Sequence, residues 1–518
     1  MRFAFSSLFA CLSTLALLSC SGEPDPSAPA TPADADTEPP ASGALSLAAG
    51  EVAEVPVGDD GVARVKLGTP SGKEEFVVVL GSTRFVRAST VPYSVSLDPI
   101  EGEPPAATVV TGCSLSSGDW SKAPEPTDEP PSGTAPAVGT KRSLIANGET
   151  IDAEVYAVSP TAVVWADTTA AHPAKLDKAF VDAFLADWDK VILPRERAVF
   201  GMESDLDGDG RIGLVFTPLT YTTAVAYFFG CDLKESLAGC PTGNKGEFLY
   251  LTPPDVIAPP YNTPNAMKEI LAHELAHLIH FNRKVLRNAL VDQPDSGYMS
   301  EGLGALAQDV SGYQSGNLYV TLAGLQQIDQ FSLTDVFDDR ASYDTKRDGP
   351  MRGGSYLFAR WLYDRGGGDE ARADGTIANK GGPAFVRALT DAKESVAAAV
   401  ATVGKANVAD VTMDFYTTLA MSNRDSVGGA APKNPCFAYL PTAVDPITTK
   451  QRGADLFAQF HASKMTGPKL QPATSPTGTM RAGGVELLSV AASAPGELHL
   501  SVSADAKAAA RVRVARVR

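Results

Sequence analysis

Residues 263–283, with the sequence TPNAMKEILAHELAHLIHFNR, decide the fold of the middle of this chain. Thr263 and Pro264 are of the types favoured at the cap and in the first turn of a helix, so the stretch predicts a helix from about Pro264 to Arg283. Its apolar side chains recur at helical spacing. They predict a stripe that faces a core, made of Met267, Ile270, Leu271, Leu275, Leu278 and Ile279.

His273 and His277 lie four residues apart, so both project from one face of that helix. Catalytic zinc sites use three protein ligands, with histidine nitrogens at ~2.0–2.1 Å, and leave a fourth position to water. Glu274 lies beside this face, where a carboxylate can accept the water's proton. The pattern can also arise by chance and leave two histidines with structural roles. Only six histidines occur in the chain and three fall within residues 273–280, which favours a zinc site.

The third ligand is expected downstream. Metzincins place a histidine six residues after the second one, but Arg283 stands there. A second helical run instead begins near Tyr298 and carries Glu301 close to its start, 24 residues after His277. This is the gluzincin arrangement, and we assign Glu301 as the third zinc ligand. His280 lies one turn further along the first helix and is expected to line the pocket or to support a ligand.

Several segments together resemble the hyicolysin family of bacterial secreted metallopeptidases. They are HELAH with Phe281, SEGLGALAQD (300–309), GGSYLFARWLY (353–363), DLDGDGRIGLVF (205–216) and NKGEFLYL (244–251). The resemblance covers roughly residues 141 to 370. It implies a thermolysin-like zinc fold and the hydrolysis of peptide bonds, while the outer thirds of the chain lie outside it.

Two further roles are expected at a zinc site of this type: a residue that orients a zinc histidine and a donor to the oxyanion. Thermolysin has an acid one helical turn after its glutamate ligand, whereas this chain has Ala305 there and Asp309 two turns on, so the residue that orients a zinc histidine stays unassigned. A donor to the developing oxyanion is also required. We favour Tyr356, which follows a Gly-Gly turn, although a packing role explains it equally well. The other candidates are Tyr313, Tyr319 and Tyr343.

A second metal site is suggested upstream. Asp205, Asp207 and Asp209 with Gly210 provide the opening acids of an EF-hand-like loop, whose oxygen ligands suit calcium. The twelfth position, however, is Phe216 rather than a glutamate. The same acids fit a turn leading into a strand at Ile212 to Phe216. Structural calcium is therefore one of two interpretations.

The first twenty residues have the layout of an export signal: Arg2, an apolar stretch from Leu8 to Leu18, and then Ser19-Cys20. Residues 17–20 also resemble the bacterial lipobox, which implies cleavage before Cys20 and its acylation. An ordinary signal peptide is the alternative. No later apolar run reaches the ~20 residues of a membrane span, so the lipid anchor is the only membrane contact expected. The protein would then lie in the cell envelope, facing the periplasm or the exterior, or be released.

Four further cysteines suggest disulfides in an exported protein. Cys231 and Cys240 bracket a short loop and predict a local disulfide. Cys113 and Cys436 then pair across a long separation or stay free.

With 518 residues the chain predicts two to four domains. We expect a multidomain protein in which an α/β zincin-like (thermolysin-like) catalytic domain is flanked by small all-β domains. The predicted division is a lipoprotein signal peptide (1–20), a disordered linker (21–43), an all-β domain (44–118), a Pro-rich linker (119–140), a zinc metallopeptidase domain (141–425) and a C-terminal β module (426–518). The run 511–518 alternates arginine with apolar residues and predicts an edge strand.

The sequence thus predicts a zinc endopeptidase that acts on extracytoplasmic proteins or peptides, with Glu274 as general base. A net charge of -17 argues against a nucleic-acid partner. One alternative is a catalytically silent, metal-binding surface lipoprotein that acts as a binding or adhesion module. Another makes the β modules the working parts, which would bind polysaccharide or protein.

Overall fold

A computed structural model describes residues 43–518 apart from short gaps. The gaps are 88, 116–117, 125–127, 238–239, 241, 260, 289–295, 314–317, 339–343, 345, 461–462, 475–476 and 506–508. The predicted signal peptide, the lipidation site Cys20, nearly all of the 21–43 linker, Tyr343 and the side chain of Tyr319 lie outside the described residues.

Strands lie in the middle of the described chain and at both of its ends. In chain order they are β1 (Val52–Val55), β2 (Val62–Thr69), β3 (Glu75–Ser82), β4 (Thr90–Ser96), β5 (Thr108–Val109), β6 (Lys141–Ala146), β7 (Glu149–Val158), β8 (Ala162–Asp167), β9 (Ile212–Phe216), β10 (Ala226–Phe228), β11 (Phe248–Leu251), β12 (Asp369–Ala371), β13 (Ile377–Asn379), β14 (Ala443–Val444), β15 (Gln451–Arg452), β16 (Gln459–Phe460), β17 (Ser463–Lys464), β18 (Gln471–Pro472), β19 (Thr477–Arg481), β20 (Val485–Ala491), β21 (Gly496–Ala504) and β22 (Ala510–Arg516).

Helices are concentrated between residues 178 and 421. They are α1 (Lys178–Asp187), α2 (Leu193–Phe200), α3 (Pro264–Phe281), α4 (Gly297–Val310), α5 (Leu318–Gln326), α6 (Leu333–Phe337), α7 (Asp348–Gly366), α8 (Gly382–Asp391), α9 (Val396–Thr402) and α10 (Val408–Met421). Short π-helical segments, Trp188–Ile192 and Asn282–Leu286, extend α1 and α3.

The α/β domain is built on a mixed sheet with strand order β10-β11-β9-β8-β7-β6. Strands β11, β9 and β8 run parallel, β10 and β7 pair antiparallel to them, and β6 pairs antiparallel to β7. Every residue of β8, β9 and β11 is buried, as expected for parallel strands covered on both faces. Helix α3 packs beside β10 and β11 and against α4, which in turn packs against α7. The chain is therefore multidomain with an α/β centre, as predicted.

Helix α3 has the predicted start and the predicted core face. The Thr263 hydroxyl accepts a hydrogen bond from the Ala266 N–H at 3.3 Å and caps the first turn. Of the predicted stripe, Ile270 is half-buried and the other residues are buried. Burying this face fixes the rotation of the helix and hence the direction of its histidines.

The two predicted β modules are one β-sandwich, which corrects the predicted division. Its sheets have the orders β18-β20-β3-β22-β1-β5 and β19-β4-β21-β2, so each sheet contains strands from both ends of the chain, paired with one another. Its core likewise joins the two ends, for example Val78 and Leu80 with Val512 and Val514. Each terminal segment alone would leave unpaired strands and half of an apolar face exposed.

Strand β22 is an interior strand, so the predicted edge strand at 511–518 is wrong. It pairs with β3 on one side and with β1 on the other. The alternating arginines meet carboxylates rather than solvent. Arg513 donates to Glu54 at 2.6 Å and to Asp414 of α10 at 2.7 Å, and only 3% of Arg513 is exposed. Because carboxylates compensate the arginine charges, β22 can lie inside the sheet although its sequence pattern is typical of a solvent-facing strand.

The described parts of the predicted linker at 119–140 lie along the α/β domain. The ring of Trp120 packs against that of Phe385 of α8, with centroids 5.2 Å apart and the ring planes tilted by 46°. Asp128 pairs with Arg287 at 3.0 Å beyond the end of α3. The segment after residue 425 also enters this domain, because the buried Asp445 pairs with Arg195 of α2 at 2.6 Å. The predicted boundaries at 119, 140 and 425 therefore do not separate independent units.

Both cysteine pairs are joined, which confirms the predicted Cys231–Cys240 disulfide and decides the open question for Cys113 and Cys436 in favour of a pair. Cys231 and Cys240 have Cα atoms 5.5 Å apart and close a loop directly after β10. Cys113 and Cys436, with Cα atoms 5.7 Å apart, tie the end of the N-terminal strands to the turn after α10. Among the described residues, no helix combines the length and the apolar character that crossing a membrane requires.

Candidate metal centre

Two helices bring the three predicted zinc ligands together. Helix α3 presents His273 and His277, whose ring centroids are 4.7 Å apart, and α4 presents Glu301. The Glu301 carboxylate oxygens lie 3.2 Å from His273 Nε2 and 3.9 Å from His277 Nε2. These side chains are 8–16% exposed, so the cluster is nearly closed to solvent but still reachable.

The donor types of the cluster and the distances from Glu301 suit a zinc ion. Two donor atoms that each lie ~2.1 Å from one ion can be at most ~4.2 Å apart. Both distances from Glu301 meet this limit, and the donor atoms of all three residues lie within 4.8 Å of one another. Burial lowers the pKa of His277 to about 3, which keeps its ring neutral with a lone pair available for a metal.

Two neighbouring residues on α4 support the histidines, and sequence reasoning assigned a role to neither. Ser300 Oγ lies 2.9 Å from His277 Nδ1. The hydroxyl can accept a hydrogen bond from a protonated Nδ1, and in that tautomer Nε2 is free to bind a metal. Gly304 makes room for His273, because a Cβ at this position would lie 2.6 Å from the ring carbon Cε1. The signal that could have indicated Ser300 is its position directly before the predicted ligand Glu301.

Glu274 lies beside the cluster as predicted. The Phe228 N–H, at the end of β10, donates a hydrogen bond to Glu274 Oε2 at 3.0 Å. Burial and the negative charge of Glu301 raise the pKa of Glu274 to about 7, whereas His273 opposes the shift. A carboxylate with this pKa can take up and release a proton near neutral pH.

Arg352 is a further charged residue at the centre that the sequence did not indicate. Its guanidinium contacts Glu301 Oε2 and donates through Nε to Asp348 at 2.9 Å. Burial alone would raise the pKa of Glu301, but Arg352 and His273 hold it well below its usual range. Glu301 is therefore ionised, as a metal ligand must be.

Two of the tyrosine candidates, Tyr356 and Tyr313, have described side chains, and each contacts an aspartate. Tyr356 is buried, and its hydroxyl donates to Asp309 at 3.3 Å, two turns beyond Glu301 on α4. Tyr313 is also buried and hydrogen-bonds to Asp187. These contacts give both residues a structural partner, and the oxyanion role of Tyr356 stays a prediction. His280 is buried on α3 and is not one of the clustered donors.

Asp309 holds a buried network rather than a zinc histidine. It accepts hydrogen bonds from Arg360 at 2.8 Å and from the Gly453 N–H at 2.8 Å. Neither Ala305 nor Asp309 therefore takes the role of the acid that supports a zinc histidine in thermolysin. Ser300 is the polar contact that the structure gives to a zinc histidine instead.

The three aspartates of the predicted calcium loop also lie close together. One carboxylate oxygen from each of Asp205, Asp207 and Asp209 lies within 4.8 Å of the others. Glu247, which sequence reasoning missed, approaches the same loop and accepts from the Leu206 N–H at 3.1 Å. Burial raises the pKa of Asp209 to about 6, and the charge of Asp207 adds to this shift. Such mutual repulsion is the condition that a bound cation relieves.

No family model matches the chain, and no match appears among the curated proteins. The hyicolysin-like character of the motifs stays a prediction. The interpretation of the centre accordingly rests on its own residues and distances.

Proposed function

We propose that this protein is a zinc-dependent endopeptidase of the gluzincin type, with a thermolysin-like arrangement of its α/β domain. One observation carries the proposal. His273, His277 and Glu301 come close together, with the carboxylate Glu274 beside them on the helix of the two histidines. This combination provides a metal site with an adjacent base, which amide hydrolysis requires.

The residues have distinct roles in this proposal. A zinc ion held by His273, His277 and Glu301 would polarise the scissile carbonyl and increase the acidity of the attacking water. Glu274 accepts the proton of that water and then delivers it to the leaving amine. The Phe228 N–H holds one Glu274 oxygen in place at 3.0 Å, so the other oxygen is directed at the water.

The edge strand β10 supports a peptide as substrate. In the described part of the sheet, β10 pairs only with β11, so its outer side can accept an extended peptide. Because Phe228 ends β10 and donates to Glu274, a peptide paired along this strand would pass the base. Extended binding along a strand favours cleavage within a chain and therefore an endopeptidase.

Location and partners follow from the sequence patterns. We propose export, lipid attachment at Cys20 and action on extracytoplasmic proteins or peptides, with membrane contact through the anchor only and no nucleic-acid partner. The acidic loop is proposed as a structural calcium site that plays no part in hydrolysis.

The decisive experiment compares the chain from residue 21 onward with its Glu274→Gln variant. Zinc content is measured by elemental analysis, and casein hydrolysis is measured with and without a chelator. We expect one equivalent of zinc in both proteins and a loss of about 10²–10⁴-fold in hydrolysis for Glu274→Gln. Glu370→Gln is a matched control, because Glu370 is exposed on β12 and pairs only with Lys380 among the described residues.

Two outcomes oppose the proposal. Zinc in both proteins with no hydrolysis by either would favour the catalytically silent binding lipoprotein. Absence of zinc from the native chain would eliminate the metal centre itself.

A further inference from the structure

Arg352 joins two carboxylates at the edge of the metal centre. Its Nη1 contacts Glu301 Oε2, and its Nε donates to Asp348 Oδ1 at 2.9 Å, one helical turn earlier on α7. One guanidinium therefore connects the first turn of α7 to the proposed ligand on α4. The arginine is 22% exposed, whereas Glu301 is 8% exposed, so the contact lies at the mouth of the cluster.

The packing of α4 on α7 fixes this contact. Gly302 directly follows Glu301, and a Cβ at Gly302 would lie 2.6 Å from the Ser355 carbonyl oxygen of α7. The two backbones can approach this closely only because a glycine occupies position 302. Arg352 is three residues before Ser355, so the approach places its side chain against Glu301.

We propose that Arg352, braced by Asp348, is a positioning residue that orients the Glu301 carboxylate for the metal. This inference rests on the proposed zinc site. The guanidinium binds Oε2, which also lies 3.2 Å from His273 Nε2, while Oε1 lies 3.9 Å from His277 Nε2, so the contact holds the carboxylate with both oxygens towards the histidines. Arginine suits the task because its planar fork can bind Glu301 and Asp348 at the same time.

A competing interpretation predicts the opposite sign. If the arginine merely competes with a cation for Glu301, its removal would strengthen metal binding, because a positive charge close to the ion is lost. If it orients the ligand, removal would weaken binding by about 10–100-fold, as for other groups that hold a metal ligand in place. The affinity for the metal alone therefore separates the two interpretations.

The experiment measures the zinc dissociation constant by competition with a chromophoric chelator, using the chain from residue 21 onward. The variants are Arg352→Gln, Arg352→Lys and Asp348→Asn. Arg372→Gln is the matched control, since Arg372 is an exposed arginine of the β12–β13 hairpin. The visible spectrum of the cobalt(II)-substituted protein reports the coordination geometry, and casein hydrolysis gives kcat and KM.

We expect a 10–100-fold weaker zinc complex and an altered cobalt spectrum for Arg352→Gln. Arg352→Lys should recover little, because an ammonium group cannot span both carboxylates, and Asp348→Asn should show a smaller loss of the same sign. Arg372→Gln should match the native protein. If Arg352→Gln fails to fold, Asp348→Asn at the more exposed end of the contact supplies the test.

Native or tighter zinc binding in Arg352→Gln and Asp348→Asn would overturn the positioning role while leaving the peptidase intact. Full recovery in Arg352→Lys would also overturn it, since charge alone would then suffice. A native chain that binds no zinc would overturn the proposed function together with this inference. Zinc binding without casein hydrolysis would remove only the proposed activity.

Discussion

The metal centre and the β-sandwich differ in how far apart in sequence their parts lie. The three proposed metal ligands and Glu274 fall between His273 and Glu301, on consecutive helices. The sandwich pairs the two ends of the described chain, for example Val52 with Ala515. A site built from neighbouring elements is visible in periodicity and spacing, whereas a sheet closed between distant segments leaves no local trace.

The same difference has consequences for folding. Closing a sheet over most of the chain length costs loop entropy before any strand pair contributes stability. The α/β domain lies between the two halves of the sandwich and can bring them together once it has folded. The Cys113–Cys436 disulfide joins the end of the first half to a turn beyond α10.

The most severe test of this comparison removes β22. Deleting residues 510–518 takes away a strand that pairs on both sides, so we expect the sandwich to lose its folded state altogether. Thermal unfolding followed by circular dichroism should show a lower midpoint and a reduced β signal. Deletion of residues 21–42, which lie outside the described residues, is the control and should keep the native unfolding profile. A deletion protein with the native unfolding profile would show that the N-terminal strands form an independent domain.

Two arginines on β22, one buried and one partly exposed, test how much single charge pairs contribute to the stability of the sandwich. Arg513→Gln leaves the buried Asp414 without its ion-pair partner, and we expect a loss of about 3–5 kcal/mol in the free energy of unfolding. Arg511→Gln lies on the same face of the same strand but is 26% exposed, and should cost about 1 kcal/mol or less. The measurement is urea denaturation of each variant. Equal losses would show that burial does not distinguish the two arginines.

The three proposed metal ligands could be predicted because each one obeys a local rule. The i, i+4 spacing gave His273 and His277, and the start of the next helical run gave Glu301. Ser300 and Arg352 could not be assigned, since their roles depend on how α4 packs against α3 and α7. Those packings are fixed by close approaches at Gly302 and Gly304, which sequence periodicity does not reveal.

The sandwich shows the opposite case. Its individual strands could be predicted near both ends, because alternating apolar residues are a local signal. Their partners could not, since strand pairing is decided by which apolar faces meet in three dimensions. The arginines of β22 were misleading for the same reason: Glu54 and Asp414, which neutralise Arg513, come from segments that are remote in sequence.

The acidic loop offers the smallest expected effect and tests whether a locally visible motif also binds its ion. With ~5 mM calcium and a dissociation constant of about 1 mM, binding would stabilise the α/β domain by about 1 kcal/mol. Thermal unfolding with and without calcium measures this shift. Asp207→Asn should abolish it, and it should also raise the stability of the calcium-free protein, because it relieves repulsion of Asp209.

Asp374→Asn provides the matched control for the calcium test. Asp374 is an exposed turn aspartate whose carboxylate accepts from the Thr376 hydroxyl at 2.7 Å and belongs to no acidic cluster among the described residues. Its variant should keep the calcium shift. If Asp207→Asn also keeps the shift, the acids serve only as turn residues that lead into β9. The loop would then resemble the arginines of β22, in which a local charge pattern suggests a role that the three-dimensional contacts do not support.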